Sequence, residues 1–260
     1  MGESLRYDLI NPGGSQTVVL LHSLALDGTI WSDFASRLGP ESRVLTPDLP
    51  GHGARPHGDP DSVETMADAV AELLTELGMA EVTLIGMSLG GSVAQALTIR
   101  HPERIAKLGL IDTTAWYGED APTAWASRAQ QARERGLSSL AGFQLERWFT
   151  EAFTKDSPEL GAELLEIFQR NDIENYVKSC TALGAMDLRS QLAGIDVPTA
   201  VVVGALDQAT PPKHAELLAA SIRNSALTVL PDCKHLSALE QPDAVIHALG
   251  AILGESAQVA

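Results

Sequence analysis

The chain has 260 residues, enough for one large α/β domain or a domain with a sizeable insertion. At 45% hydrophobic and 20% charged, its composition is that of an ordinary soluble globular protein. The 18 Lys and Arg against 34 Asp and Glu leave a formal charge of −16, which argues against nucleic acid or an anionic membrane surface as partner, since both demand a basic face.

In chain order, the string Met1-Gly2-Glu3-Ser4-Leu5-Arg6 has no basic stretch leading into an apolar core, so no signal peptide is expected. Arg6 stands where a myristoylation signal carries Ser or Thr. Residues 5–10 and 17–22 read as strands joined through the turn cluster Asn11-Pro12-Gly13-Gly14. A third strand, 42–46, ends at Pro47-Asp48-Leu49-Pro50-Gly51-His52-Gly53. Val63, Met66, Ala67, Val70, Leu73, Leu74 and Leu77 recur at helical spacing, with Asp61 and Glu64 at the N-terminal turn and Gly78 as the stop. Strands 82–86 and 107–111 follow. Strands separated by helices of this length imply right-handed crossovers and a mainly parallel sheet.

The rhythm breaks near Trp116. Residues 116–192 show no convincing strand and hold most of the aromatic residues, which reads as a helical cap inserted into an α/β core of 1–115 and 193–260. Alternation returns with a strand at 199–203, a helix at 212–222, a strand at 227–230 and a last helix at 242–253. Cys180 and Cys233 are far apart and lack a metal-ligand pattern, so neither a disulfide framework nor a metal site is expected, and a cytoplasmic setting fits. No apolar stretch approaches membrane-spanning length.

The segment Gly86-Met87-Ser88-Leu89-Gly90 sits between a strand and a helix, the context in which a G-x-S-x-G motif forms a nucleophile elbow. Glycines two residues either side of Ser88 let strand and helix approach. The serine then lies beside a helix N-terminus, whose free N–H groups favour developing negative charge. A serine hydroxyl is a poor nucleophile unless an imidazole takes its proton and a carboxylate holds that imidazole. Ligands in an open parallel sheet bind outside the carboxyl ends of the strands, so the residues there are the ones to inspect. Ser88, Asp112, Asp207 and His235 all fall at such ends, and Ser88, Asp207 and His235 follow the chain order Ser, Asp, His. Asp207 is the preferred acid and Asp112 its competitor. Asp48 is expected to hydrogen-bond within the Pro50–Gly53 turn. His22 is expected to organise its loop, and His52, His57, His101, His214 and His247 to serve surface or packing roles. The N–H groups of Leu24 and Leu89 are the expected oxyanion donors.

These residues resemble the α/β-hydrolase fold superfamily over nearly the whole chain. The strings Glu146-Arg147-Trp148-Phe149-Thr150, Met186-Asp187-Leu188-Arg189, Asp207-Gln208-Ala209-Thr210-Pro211-Pro212 and His235-Leu236-Ser237 with Glu240-Gln241-Pro242 are similar to bacterial 3-oxoadipate enol-lactonases. The elbow here reads Met87-Ser88-Leu89, where those enzymes more often show Leu-Ser-Met. The resemblance implies a cofactor-independent hydrolase that opens a small carboxylated lactone under a helical cap. It also implies that Trp148 lines the pocket and that Arg128 or another cap arginine meets a substrate carboxylate. Trp125 is a further pocket candidate, with packing inside the cap as the alternative for both tryptophans. The expected substrate is a small ester or lactone. Rival expectations are a C–C bond hydrolase or perhydrolase on the same fold, and a non-catalytic ligand receptor.

Overall fold

The computed structural model describes residues 4–54 and 56–254, so the N-terminal features at Met1, Gly2 and Glu3 lie outside the described residues. β1 (Tyr7–Ile10), β2 (Gln16–Leu21), β3 (Ser42–Pro47), β4 (Val82–Met87), β5 (Ile105–Ile111), β6 (Thr199–Gly204) and β7 (Ser225–Leu230) form one sheet in the order β1-β3-β2-β4-β5-β6-β7. Only β1 runs antiparallel to its neighbour; every other pairing is parallel. β4 and β6 are buried along their whole length, as strands covered on both faces must be, which explains why they are predominantly apolar with no charged residue. The expected α/β fold with a mainly parallel sheet is the observed one.

Helices α1 (Ser32–Arg37), α2 (Val63–Glu76) and α3 (Leu89–Arg100) alternate with the first strands. α2 buries its apolar stripe, and Ser62 is its N-cap, the hydroxyl accepting from Thr65 N–H at 3.0 Å. Asp61 instead faces outward, 3.4 Å from Lys178. Gly78 ends the helix at φ 62°, a conformation that favours glycine.

Between β5 and β6 come only helices: α4 (Ala121–Arg135), α5 (Ala141–Trp148), α6 (Glu151–Asp156), α7 (Pro158–Gln169) and α8 (Ile173–Ala185), with short 3₁₀ turns. Trp116 precedes the first of these helices and Asp187 follows the last. These two residues form an isolated bridge, and Leu188 N–H donates to Ala115 O at 2.9 Å. Aromatic contacts build the interior of this segment: Trp148 meets Phe168 edge-on at 5.9 Å, and Phe168 meets Tyr176 at 5.8 Å.

After β6, α9 (Pro212–Ser221) packs on β6 and β7, and α10 (Ser237–Glu240) follows the loop beyond β7. The expected single C-terminal helix is two, α11 (Pro242–Ala248) and α12 (Gly250–Leu253). The break falls at Leu249, beside the helix-weakening Gly250. No helix among the described residues is long and apolar enough to cross a membrane.

Candidate active site

Ser88 stands where β4 turns into α3, at φ 56° and ψ −117°. Such backbone costs about 1–3 kcal/mol for a residue with a Cβ, and persists only where packing over-determines it. Here the packing is backbone on backbone. A Cβ on Gly86 would lie 2.2 Å from Gly90 O, and one on Gly90 2.2 Å from Leu21 O. The two glycines let α3 sit directly on the sheet, and Ser88 N–H still bonds Ile111 O at 3.0 Å.

His235, from the loop after β7, places Nε2 2.9 Å from Ser88 Oγ and Nδ1 2.8 Å from Asp207 Oδ2. With Nδ1–H directed at the carboxylate, Nε2 is the free base facing the serine hydroxyl. Asp207 also accepts from Ala209 N at 2.7 Å, Thr210 N at 3.0 Å and Thr210 Oγ1 at 2.8 Å. Burial opposes its ionisation, but the His235 ring and the bonds from His235 and Thr210 hold its carboxyl below the ordinary carboxylate range. Thr210 was not singled out from the sequence. Its signal is the spacing Asp207-x-x-Thr210 before Pro211, an Asp side chain satisfying the N–H groups of its own turn.

Asp112 is not on the imidazole. Its Oδ1 accepts from Gly204 N at 3.0 Å and its Oδ2 from Ser237 N at 2.8 Å, at a strained φ of 45°. Burial, then the charge of Asp207, pushes its carboxyl well above the ordinary range. Asp48, by contrast, departs from expectation: Oδ1 accepts from Gly28 N at 2.9 Å rather than from its own turn. That bond reaches across to the loop after β2, a contact no local pattern announces.

His22 is buried, donates from Nδ1 to Ser23 O at 2.8 Å and accepts from Leu49 N at Nε2, also at 2.8 Å. An N–H aimed at Nε2 requires a neutral ring, and burial accordingly lowers its pKa to about 4. His52 lies 5.1 Å away, ring to ring, and burial then His22 lower its pKa to about 3. The pair shapes the loop carrying Ser23 and Leu24. His101 bonds Asp68 and His214 bonds Thr114.

Leu24 lines the cavity beside Ser23, Ser88 and His235. The loop turns back at Ala25, φ 58°, and the helical segment grips it there: Asn171 Nδ2 donates to Ala25 O at 2.8 Å, and Arg170 bonds Asp27. Leu89 is the first residue of α3, so its N–H belongs to the helix donors left without an intrahelical partner.

Residues 18–248 match the alpha/beta hydrolase family. The chain belongs to that family. Among its relatives, 3-oxoadipate enol-lactonase 2 of Acinetobacter baylyi is 33% identical over 252 residues, 96% of this chain and 93% of the relative. A crystal structure of the enol-lactonase from Burkholderia xenovorans LB400 superposes with a TM-score of 0.88 at 33% identity, covering 95% of each chain. A hydrolase from Pseudomonas aeruginosa gives a TM-score of 0.89 at 32% identity, over 95% of this chain and 93% of that one.

In this hydrolase the far wall of the cavity comes from the helical segment: Trp125, Arg128, Gln144, Arg147 and Trp148. Trp148 both lines the cavity and packs on Phe168, so pocket and packing are not alternatives for it. Trp125 likewise stacks edge-on against Tyr117 at 5.2 Å. Arg128 is held by Tyr176 Oη at 2.5 Å and Gln144 Oε1 at 2.6 Å, both neutral groups. Arg147, not singled out from the sequence, lies over the Phe143 ring at 4.9 Å. Among the described residues neither guanidinium has an Asp or Glu at ion-pair distance. Burial and the Arg128 charge depress the pKa of Arg147.

Proposed function

We propose that this chain is a cofactor-independent serine hydrolase of a small ester or lactone carrying a carboxylate, with residues 116–192 as the cap over the site. Ser88 Oγ attacks the carbonyl while His235 Nε2 takes its proton. Asp207 holds the ring and stabilises the imidazolium. The tetrahedral oxyanion is received by the N–H groups of Leu24 and Leu89. His235 then returns the proton to the leaving oxygen, and a water activated by the same imidazole releases the acyl group from Ser88. In a lactone the leaving oxygen stays tethered, so ring opening and deacylation yield one open-chain hydroxy acid or, from an enol lactone, an enol acid that tautomerises to the keto acid.

The observation that carries this reading is the unbroken Ser88–His235–Asp207 relay, 2.9 and 2.8 Å long, opening on two guanidiniums that have no Asp or Glu at ion-pair distance among the described residues. In a chain of net charge −16, two such cations facing one cavity are a local inversion of sign suited to an anionic ligand. The relatives support the ester-bond class: two are named 3-oxoadipate enol-lactonases, and one 30% identical over 243 residues is a pimeloyl-[acyl-carrier protein] methyl ester esterase.

The test is a turnover screen of 3-oxoadipate enol-lactone against p-nitrophenyl esters, with Ser88→Ala beside the wild type. A preference for the carboxylated lactone, lost by several orders of magnitude in Ser88→Ala, is expected. Turnover that survives Ser88→Ala would remove the mechanism; equal turnover of charged and uncharged substrates would remove the carboxylate.

A further inference from the structure

The reactive face of His235 is set by a short loop, Cys233 to Ser237, and two buried carboxyls outside the relay hold that loop from opposite ends. On the far side of His235, Asp112 Oδ2 accepts from Ser237 N at 2.8 Å. On the near side, Glu240 Oε2 accepts from Lys234 N at 2.9 Å and from Cys233 Sγ at 3.6 Å. Each carboxyl commits its second oxygen elsewhere. Asp112 Oδ1 takes Gly204 N at 3.0 Å, at the end of the strand that leads to Asp207. Glu240 Oε1 takes Thr150 N at 2.9 Å and Thr150 Oγ1 at 2.5 Å, at the start of α6 in the helical segment.

We infer that Asp112 and Glu240 are positioning residues for His235, registering its loop against the acid's strand on one side and against the helical segment on the other. The inference rests on the reading of His235 as the general base. Further bonds run along the same seam: Leu236 N donates to Trp148 O at 3.1 Å and Lys234 Nζ to Glu146 O at 2.6 Å. The loop is therefore built against α5 and α6 as much as against the sheet. A carboxyl is the group this needs, because it presents an acceptor oxygen in both directions. An isosteric amide presents one acceptor and one donor, so it must turn an N–H toward another N–H while filling the same volume.

The experiment is the second-order rate of fluorophosphonate labelling at Ser88, read with kcat and KM on p-nitrophenyl acetate, for wild type, S88A, E240Q, D112N, T150V and T150S. A displacement of reacting groups by about an ångström costs on the order of a hundredfold in rate. E240Q and D112N are expected to label about tenfold or more slowly, with the loss in kcat rather than KM. T150V should lose less, since its N–H remains, and T150S should recover most of that loss. Folded E240Q and D112N reacting at the wild-type rate overturn the inference. Where either fails to fold, the threonine pair decides: T150V equal to T150S overturns it. A wild type that takes no label at Ser88 overturns the serine reading itself, and undiminished labelling of the amide variants overturns only the positioning.

Discussion

The two walls of the cavity satisfy their charged groups in opposite ways. On the sheet side, Asp207 accepts bonds from His235, Ala209 and both donors of Thr210, and His22 has a partner at each ring nitrogen. On the helical side, Arg128 is held only by neutral oxygens, and Arg147 lies on an aromatic ring. A fully satisfied polar network is rigid and suits groups that must be preorganised. A cation with no carboxylate at ion-pair distance among the described residues suits a group that a ligand completes. On the proposed function, the sheet wall would supply the reaction and the helical wall the choice of substrate.

Asp207→Asn should break this division most severely. It preserves shape but turns His235 to the wrong tautomer, lowering kcat by roughly 10³–10⁴ whatever the substrate. Asp112→Asn should cost far less, and equal losses from the two would erase the distinction between acid and support.

Acid should unfold the molecule from the sheet side. His22 and His52 have folded pKa values of about 4 and about 3, below the ordinary 6.5, so the unfolded chain binds protons first. Their contribution is complete above pH 6.5 and is lost as pH falls toward those values, by about 1.4 kcal/mol per pH unit for each. Residues 116–192 contain no histidine, so the effect belongs to the core. Urea midpoints that stay level between pH 6.5 and 4.5 would contradict it.

Arg147→Met keeps the apolar stem and removes the charge. It should lower kcat/KM on a carboxylated lactone by about 10- to 100-fold, the value of a charged hydrogen bond, and far less on p-nitrophenyl acetate. A uniform loss on both would move Arg147 from substrate choice to general architecture. The smallest expected effect is Ser62→Ala at the start of α2, about 1 kcal/mol of stability by denaturant titration with kcat unchanged.

Legibility followed the range of each signal along the chain. The seven strands and the Ser88 elbow were readable because apolar runs, turn glycines and strand ends are local signals. The Asp112–Asp207 rivalry stayed open in the sequence because both residues end strands; only the side-chain bonds separate them, one to the His235 ring and the other to Gly204 and Ser237 N–H groups. The contacts of Arg147 and Glu240 and the Asp48–Gly28 bond are not legible in the sequence for a related reason. Each acts through a partner 20 or more residues away in at least one bond, or through a cavity assembled from several helices.

By itself, then, the sequence determined the alternation of strands and helices, the elbow and the chain order of serine, aspartate and histidine, since each is written in spacings of a few residues. The tertiary structure alone decided which carboxylate faces His235, which arginines face the cavity, and how the histidine loop is held. Those are matters of direction: a spacing places a residue at a strand end or on a helix face, whereas the packing of distant elements decides what its side chain meets.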